Sequence, residues 1–263
     1  VGAQFRSDHR APAALMVLYL RAVGRPLDSS TVLPRNLLRY VGETFRTTAP
    51  TIASLRSIYQ RSQTLYIHQL WAKTHLGLKD LDEQSEAQLV ALLKLQAAEA
   101  SHSDDLATAA CHWLYEHRIL IPGPRRVQDW ARAAFAATEA EILQTISKAV
   151  PAATLKSCRE STYRQRPDGT ATHLEWLKTP SRHHGPPSLT EVLEKMRYVT
   201  GLRAHEWPLD DIAIPKQRAY AQQMQARRPA KSKEIKDTTQ TIELVCFLRM
   251  TLLELTDLAI QQG

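Results

Sequence analysis

The chain has 263 residues and a formal net charge of +7, so it is long enough for one large domain or two to three small ones. With only nine glycines and with abundant alanine and aliphatic residues, its composition disfavours strand-rich or loop-rich proteins and predicts helices. No apolar run approaches the roughly 18 residues of a membrane helix and no signal sequence opens the chain, so we expect a soluble cytoplasmic protein that does not bind membranes.

The positive charge is concentrated in the first quarter of the chain. Residues 1–71 contain nine arginines, no lysine and three acids, a net of +6, whereas the other 192 residues carry a net of +1. This asymmetry indicates a polyanionic partner, and the planar guanidinium group suits phosphates and guanine. Arginine-rich codon usage in a GC-rich genome would account for the missing lysines, but it would not account for the missing acids.

Helical periodicity begins at once. Residues 11–23 form an apolar helix with Pro12 in its first turn and Gly24 as its stop. Pro34 opens a second helix, whose two faces are predicted to carry Leu37, Leu38, Val41 and Phe45 inside and Arg35, Arg39 and Arg46 outside. A third helix starts at Pro50, with Thr47 and Thr48 as possible caps, and Ser62 or Thr64 can cap a fourth that runs to Gly77.

The stretch RSIYQRSQTLYIHQL, residues 56–70, has an unusually polar face. The side chains that we expect to pack inward are Ile58, Leu65, Tyr66, Ile67 and Leu70. The side chains that we expect to face outward, where they suit phosphates and base edges, are Arg56, Gln60, Arg61, Ser62, Gln63, Thr64 and His68. The helix start at 62–64 adds free backbone N–H groups that attract a phosphate.

Later helices are predicted over 82–100, 103–120, 124–150, 188–201, 213–226 and 238–261. Residues 159–187 are expected to form a linker with one short helix near 174–177, and Ser188 with Glu191 suggests a capping box. With about eleven helices and no convincing strand, the prediction is an all-α, multi-helical protein. We divide it into two to three small helical domains over 1–77, 78–150 and 151–263.

Residues 34–76 have the layout of a helix-turn-helix module, in which one helix enters the major groove and its neighbours hold the backbone. The predicted backbone clamps are Arg35, Arg39, Arg46 and Arg61. The predicted groove-reading residues are Arg56, Gln60, Gln63 and Thr64, with His68 as a further candidate. Arg125 and Arg126 either contact phosphate or simply form a charged helix start.

Other polar clusters support no chemistry. His112 and His117, near Cys111, lie about 140° apart on a helix, so they do not converge on a metal. The three cysteines are distant from one another and form no CxxC pair, which argues against a disulfide framework. Alternatives left open are a solvated turn or a phosphate contact at 183–184, and an exposed loop or a second backbone contact at 227–236. We favour a role at a helix start for Asp210 and Asp211 and a role in helix packing for Glu254 and Asp257, rather than two-metal chemistry.

Five motifs are spread along nearly the whole chain. The first is HRAPAALMVLYLRAVGRPL (9–27), with Leu20, Arg21, Gly24 and Arg25 at its end. The next two are the set Tyr59, Arg61, Thr64 and His68, and the segment HRILIPGP (117–124). The last two are LEWLKTPSRHHGPPSLTEVLEKMRYVTGL (174–202) and FLRMTLLELTDLAI (247–260). In this order and spacing, the motifs resemble the amino-terminal region of the Tn-three-family replicative transposases, and the last two are similar to that family's later helical region.

The resemblance implies that this chain binds double-stranded DNA at the terminal inverted repeats of a transposon. It also implies an RNase H-like catalytic domain with three metal-binding carboxylates elsewhere in the parent protein, which would hold the magnesium and possess the cutting activity. We therefore expect no enzyme activity and no cofactor in this chain, and a homodimer in the full-length protein. Residues 1–77 would be a helix-turn-helix-like DNA-binding domain, 78–150 a second helical DNA-binding unit, and 151–263 a third unit leading toward dimerisation and catalytic regions. The rival hypothesis is a helical protein-interaction scaffold whose basic face meets an acidic partner. A third hypothesis, an α-helical enzyme, is not supported, because the sequence shows no convergent set of acid and base side chains.

Overall fold

A computed structural model describes residues 5–27, 33–180, 186–203, 206–207, 209–227 and 237–262. These residues form twelve helices, and their β pairing is limited to two isolated bridges, Lys79 with Ile119 and Gln165 with Thr172. The predicted all-α class is confirmed. No helix in these ranges combines the length and the apolar composition that crossing a membrane would require.

The helices follow one another with short connections. They are α1 (Ser7–Val23), α2 (Arg35–Phe45), α3 (Ile52–Tyr59), α4 (Ser62–His75), α5 (Glu83–Ala97), α6 (Ser103–Glu116), α7 (Pro124–Ala149), α8 (Ala152–Tyr163), α9 (His173–Lys178), α10 (Pro186–Gly201), α11 (Ile214–Ala226) and α12 (Asp237–Gln262).

The chain forms two compact units. Unit 1 comprises residues 1–93 and 107–131, and unit 2 comprises 94–106 and 132–263. The predicted boundaries after residues 77 and 150 do not coincide with this division, because α5, α6 and α7 each contribute residues to both units. Separate roles for the three predicted segments therefore stay a prediction.

In unit 1, α1 packs against α2 and α4, and α3 packs against α4. The apolar side of α1 supplies fully buried Leu15, Met16 and Leu20. Gly24 ends α1 as predicted, with a left-handed φ of 72° and its N–H donating to the carbonyl of Leu20 at 2.8 Å. A side chain there would be strained by the positive φ and would require the Ile121 side chain to shift, because a Cβ at this position would lie 2.6 Å from Cδ1 of Ile121.

The predicted faces of α2 are confirmed. Leu38 and Val41 are buried in the core of unit 1, with Leu37 and Phe45 half-buried beside them. The predicted caps of α3 are wrong, since Thr51 caps the helix. Its hydroxyl accepts from the N–H of Ser54 at 3.1 Å, and the Ser54 hydroxyl accepts from the N–H of Thr51 at 2.9 Å.

In unit 2, α12 packs against α10 and α11 around a core that includes Val199, Tyr220, Met224, Val245 and Leu248. The buried carboxylate of Glu243 on α12 receives two hydrogen bonds from the guanidinium group of Arg227, one of them 3.0 Å long from Nε. This pair satisfies a charge that would otherwise be isolated in the core.

Three local predictions were wrong. Helix α8 was missed, although it buries Cys158 and Thr162, because its two serines and two threonines are weak helix formers. Ser188 does not cap α10: the helix begins at Pro186, and the buried Ser188 hydroxyl makes no hydrogen bond. Helix α6 ends at Glu116 rather than continuing to residue 120, because Arg118 is left-handed, with φ 55°.

Candidate nucleic-acid interface

The arginines of α2 lie along one exposed side of the helix. Arg35 and Arg39 are one turn apart, so they project from the same side, and both are exposed. Arg46 follows at the C-cap in the left-handed region, with φ 51° and ψ 43°. A non-glycine residue at such a position is uncommon, but the cation lies at the negative end of the α2 dipole, which favours it.

The turn between α3 and α4 presents a second group of polar side chains. Arg56, Gln60, Arg61, Ser62 and Gln63 are all exposed as predicted, while Thr64 is half-buried. No side chain caps the first turn of α4, contrary to the predicted Ser62 or Thr64 cap, and Arg61 takes the N-cap position. The positive end of α4 and a full positive charge are thus adjacent at the surface.

The exposed arginines of α1 to α4 are almost free of ion pairing. They are Arg6, Arg21, Arg35, Arg39, Arg46, Arg56 and Arg61. Within the described ranges, the one ion pair in this set joins Arg39 to Glu43 at 4.0 Å, and both side chains are well exposed. The chain from Thr44 to Lys79 contains no acid at all. Among the described residues, the positive charge of this surface is therefore largely left without a balancing carboxylate.

His68 does not belong to this surface, so the prediction that it faces outward is wrong. Its side chain is 1% exposed and packs edge-on against Phe5. Its Nδ1 lies 3.1 Å from the Tyr59 hydroxyl, and its Nε2 lies 3.2 Å from Nδ1 of His9. The polar residue is buried because α1 and α3 supply both of its hydrogen-bond partners.

The hydrogen bonds around His68 favour its neutral form. The Tyr59 hydroxyl also lies 3.2 Å from the Pro12 carbonyl, to which it donates, so it accepts from Nδ1 of His68. Nε2 of His68 then accepts a hydrogen bond from the N–H at Nδ1 of His9. A second proton on the His68 ring would lie on Nε2 and face that N–H group. Burial, together with the charge of a protonated His9, lowers the pKa of His68 to about 4.

We expect unit 1 to lose stability as the pH falls from 7 to 5. The folded pKa lies below the unfolded value of 6.5, so the unfolded chain binds more protons in this interval and folding is opposed. The loss attributable to His68 is about 2 kcal/mol. Hydrogen exchange of the α4 amides at the two pH values measures it. The same loss in a His68→Gln variant would show that groups other than His68 are responsible.

The apolar residues of α4 are not where the pattern indicated. Ile58 and Leu65 are half-buried, but Tyr66, Ile67 and Leu70, which we expected to pack inward, are 62%, 47% and 43% exposed. Helix α4 faces the core with Leu65, His68 and Ala72 instead. Sequence reasoning therefore missed Tyr66 and Ile67 as surface residues. The signal was present in the helical spacing of His68 and Ala72, but the polarity of histidine argued against it.

Only one of the two arginines at the start of α7 is without an ion pair among the described residues. Arg125 is exposed, and no described residue pairs with it. Arg126 is held within unit 1, where Nη2 donates to Oε2 of Glu86 at 2.7 Å and the guanidinium lies 5.0 Å from the Trp130 ring centre. The pair is partly exposed, so its net energy is small. A phosphate contact by Arg126 would nevertheless compete with this pair.

Among the described residues, no three side chains of the types His, Cys, Asp and Glu are placed to hold a metal ion. Cys111 accepts from Nη2 of Arg25 at 3.5 Å, and His117 stacks on Trp113. Residues 183–184 and 228–236, which carry two further predicted phosphate contacts, lie outside the described residues.

Unit 2 contains a buried cation that the sequence did not reveal. Lys216 is almost fully buried, donates to the Ala100 carbonyl at 2.6 Å and lies 3.8 Å from the ring centre of Phe135. Burial lowers its pKa to about 8. The long apolar stem of lysine accounts for this placement.

Comparison with known protein families finds one that matches the first half of the chain. The family described as "Domain of unknown function (DUF4158)" matches residues 1–134, which make up half of the chain and contain α1 to α6 with the start of α7. The chain belongs to the DUF4158 family. All the interface residues described above lie within the match.

Two relatives of this DUF4158 chain are transposases. The "Transposase for insertion sequence element IS1071 in transposon Tn5271" of Comamonas testosteroni is 34% identical over 257 residues, which are 98% of this chain and 26% of that protein. The "Transposase for transposon Tn1546" of Enterococcus faecium is 21% identical over 198 residues, 75% of this chain and 20% of that protein. The DUF4158 chain thus spans about a quarter of the length of the relatives it matches.

Proposed function

We propose that this chain is a DNA-binding, non-catalytic part of a transposase of the Tn-three family and that unit 1 binds the terminal inverted repeat of the transposon. Support comes from the similarity to the Comamonas transposase across 98% of the chain. DNA cleavage and strand transfer, with their magnesium, would be functions of the longer parent protein. A homodimer of that parent and a cytoplasmic location stay predictions.

The observation that carries the proposal is that, among the described residues, the exposed arginines of α1 to α4 have almost no carboxylate partners. Surface arginines that serve only solubility or folding usually have acidic residues close by. Here Thr44 to Lys79 contains none. The one ion pair that the described residues give to the exposed arginines of α1 to α4 joins Arg39 to Glu43, whereas the exposed Arg126 on α7 is paired with Glu86. Guanidinium groups left unpaired in this way match the geometry and charge of a phosphate backbone.

The proposed roles follow from the positions of these side chains. Arg35, Arg39 and Arg46 on α2, with Arg61 at the start of α4, would hold phosphates. Helices α3 and α4 would act as the helix-turn-helix pair, with α4 entering the major groove. The side chains nearest its N-terminal end, which would read base edges or contact phosphate there, are Arg56, Gln60, Ser62, Gln63 and Thr64.

A scaffold that binds an acidic protein is the second candidate, and the exposed apolar residues of α4 favour it. Such a partner would offer carboxylates to the arginines and apolar side chains to Tyr66, Ile67 and Leu70. Its binding would depend less steeply on salt than binding to DNA, because no dense layer of condensed counterions is released.

Alanine substitutions at Arg61 and Gln63 test the proposal. Arg61→Ala should weaken binding to the terminal repeat and to a scrambled duplex by the same factor, because a phosphate contact carries no sequence information. Gln63→Ala should weaken binding to the repeat alone, by about tenfold, since a bidentate contact to adenine discriminates between bases. Competition binding with the two duplexes provides the measurement.

Arg197→Ala is the matched control, because Arg197 is an exposed helical arginine of unit 2. It should leave both affinities unchanged. A Gln63→Ala variant that prefers the repeat as strongly as the wild type does would remove Gln63 from base reading. Failure of the wild type to bind any duplex would refute the proposal itself.

A further inference from the structure

Helix α4 presents an exposed, uncharged face to solvent. Ser62, Gln63, Tyr66, Ile67 and Leu70 recur at the spacing of one side of a helix, and all five are exposed. The opposite side, with Leu65, His68 and Ala72, is turned to the core of unit 1. The exposed face therefore runs for two turns from the N-terminal end of α4.

This face is more apolar than a solvated helix surface normally is. Tyr66, Ile67 and Leu70 together form a continuous apolar strip, whereas isolated exposed apolar residues would need no explanation. A helix face of this kind is energetically costly in water unless a partner covers it.

The residues that flank the apolar strip indicate the chemistry of a partner that would cover it. Arg56 and Arg61, both exposed, precede it in the chain, and no acid occurs from Thr44 to Lys79. A partner that satisfies this combination must be polyanionic outside and must offer small apolar groups within reach of a helix. The major groove of DNA has both properties, because the C5-methyl groups of thymine line it between two rows of phosphates.

We propose that the exposed face of α4 reads A·T pairs, with Ile67 in contact with a thymine methyl group and Gln63 paired to the adenine edge. The two side chains are one helical turn apart, so they are neighbours on the surface and can reach one base pair or adjacent pairs. Tyr66, beside Ile67, covers the flanking methyl or sugar. This assignment rests on the proposed function, since it requires that unit 1 binds DNA.

Replacing thymine by deoxyuridine tests the assignment directly. The exchange removes the methyl group and leaves the hydrogen-bonding edges of the base pair intact. A duplex first selected from a random-sequence pool by the whole chain is then substituted at one thymine at a time. At one or two positions the wild type should bind about fourfold more weakly, the effect of losing one buried methyl-sized group.

The Ile67→Ala variant should bind the thymine and deoxyuridine forms of those positions equally. Ile52→Ala is the matched control, because Ile52 on α3 is 46% exposed, nearly the same as Ile67 at 47%. It should retain the wild-type sensitivity. Since both isoleucines are exposed, neither substitution should unfold the protein, and circular dichroism confirms this before binding is measured.

The outcomes separate the two proposals. Binding to duplex DNA without sensitivity at any thymine would overturn the methyl contact and leave the proposed DNA-binding function intact. Sensitivity that persists unchanged in Ile67→Ala would also overturn it, because the methyl group would then act through another residue or through the shape of the DNA. Absence of binding to every duplex would defeat the proposed function, and with it the assignment to α4.

Discussion

Raising the salt concentration from about 50 to about 200 mM should weaken binding of this chain to a repeat-end duplex by about 10³-fold, as six phosphate contacts would require. Seven exposed arginines of α1 to α4 can supply these contacts, at positions 6, 21, 35, 39, 46, 56 and 61, and within the described residues Arg39 alone among them has an ion pair, a solvent-exposed one with Glu43. Each one that neutralises a phosphate releases condensed counterions, and the release becomes less favourable as salt rises. The slope of log affinity against log salt therefore counts the contacts.

Replacing Arg35, Arg39 and Arg46 together by glutamine should reduce that slope by about 2.7, or about 0.9 for each lost phosphate contact. The triple variant keeps the apolar side of α2, so the fold should survive. Arg197→Gln, on an exposed side of α10, serves as the control and should leave the slope unchanged. Fluorescence anisotropy at several salt concentrations gives both slopes. A wild-type slope near zero would favour the protein scaffold instead.

Arg227→Met should destabilise unit 2 by about 3 kcal/mol. Glu243 has no exposed side-chain surface, and the guanidinium group of Arg227 donates two hydrogen bonds to its carboxylate. Removing the Arg227 guanidinium leaves the Glu243 carboxylate buried without its hydrogen-bond partner. The cost of this unpaired, desolvated charge dominates the loss of stability. Urea unfolding followed by hydrogen exchange of the α12 amides measures the loss in unit 2.

The double variant Arg227→Met with Glu243→Leu should recover most of that stability, because the buried charge is then absent from both sides. Arg39→Ala is the contrasting control: Arg39 and Glu43 form an exposed pair on α2, and its loss should cost about 0.5 kcal/mol. Equal effects of Arg227→Met and the double variant would mean that the lost packing of Arg227, rather than the stranded carboxylate, sets the stability.

Local sequence was sufficient where one face of a helix is clearly apolar. In α2 the apolar residues and the arginines separate cleanly, so the inner face and the exposed arginines were both predicted. The stop at Gly24 was also predicted, because it depends on a backbone conformation that glycine adopts most easily. Helix α8 was not predicted, because its two serines and two threonines favour no particular local structure. Its formation depends instead on the burial of Cys158 and Thr162.

The sequence by itself determined that the protein is all-α, that its first quarter is basic and almost free of acids, and that Arg35, Arg39, Arg56 and Arg61 are exposed. These properties depend on composition and on helical periodicity, which act over a few residues. Only the tertiary structure decided which side of α4 faces solvent. Apolar residues occur around much of that helix, so its orientation depends on partners distant in the chain. His9 and Tyr59 provide hydrogen bonds that allow His68 to be buried, and Tyr66 and Ile67 are consequently left at the surface.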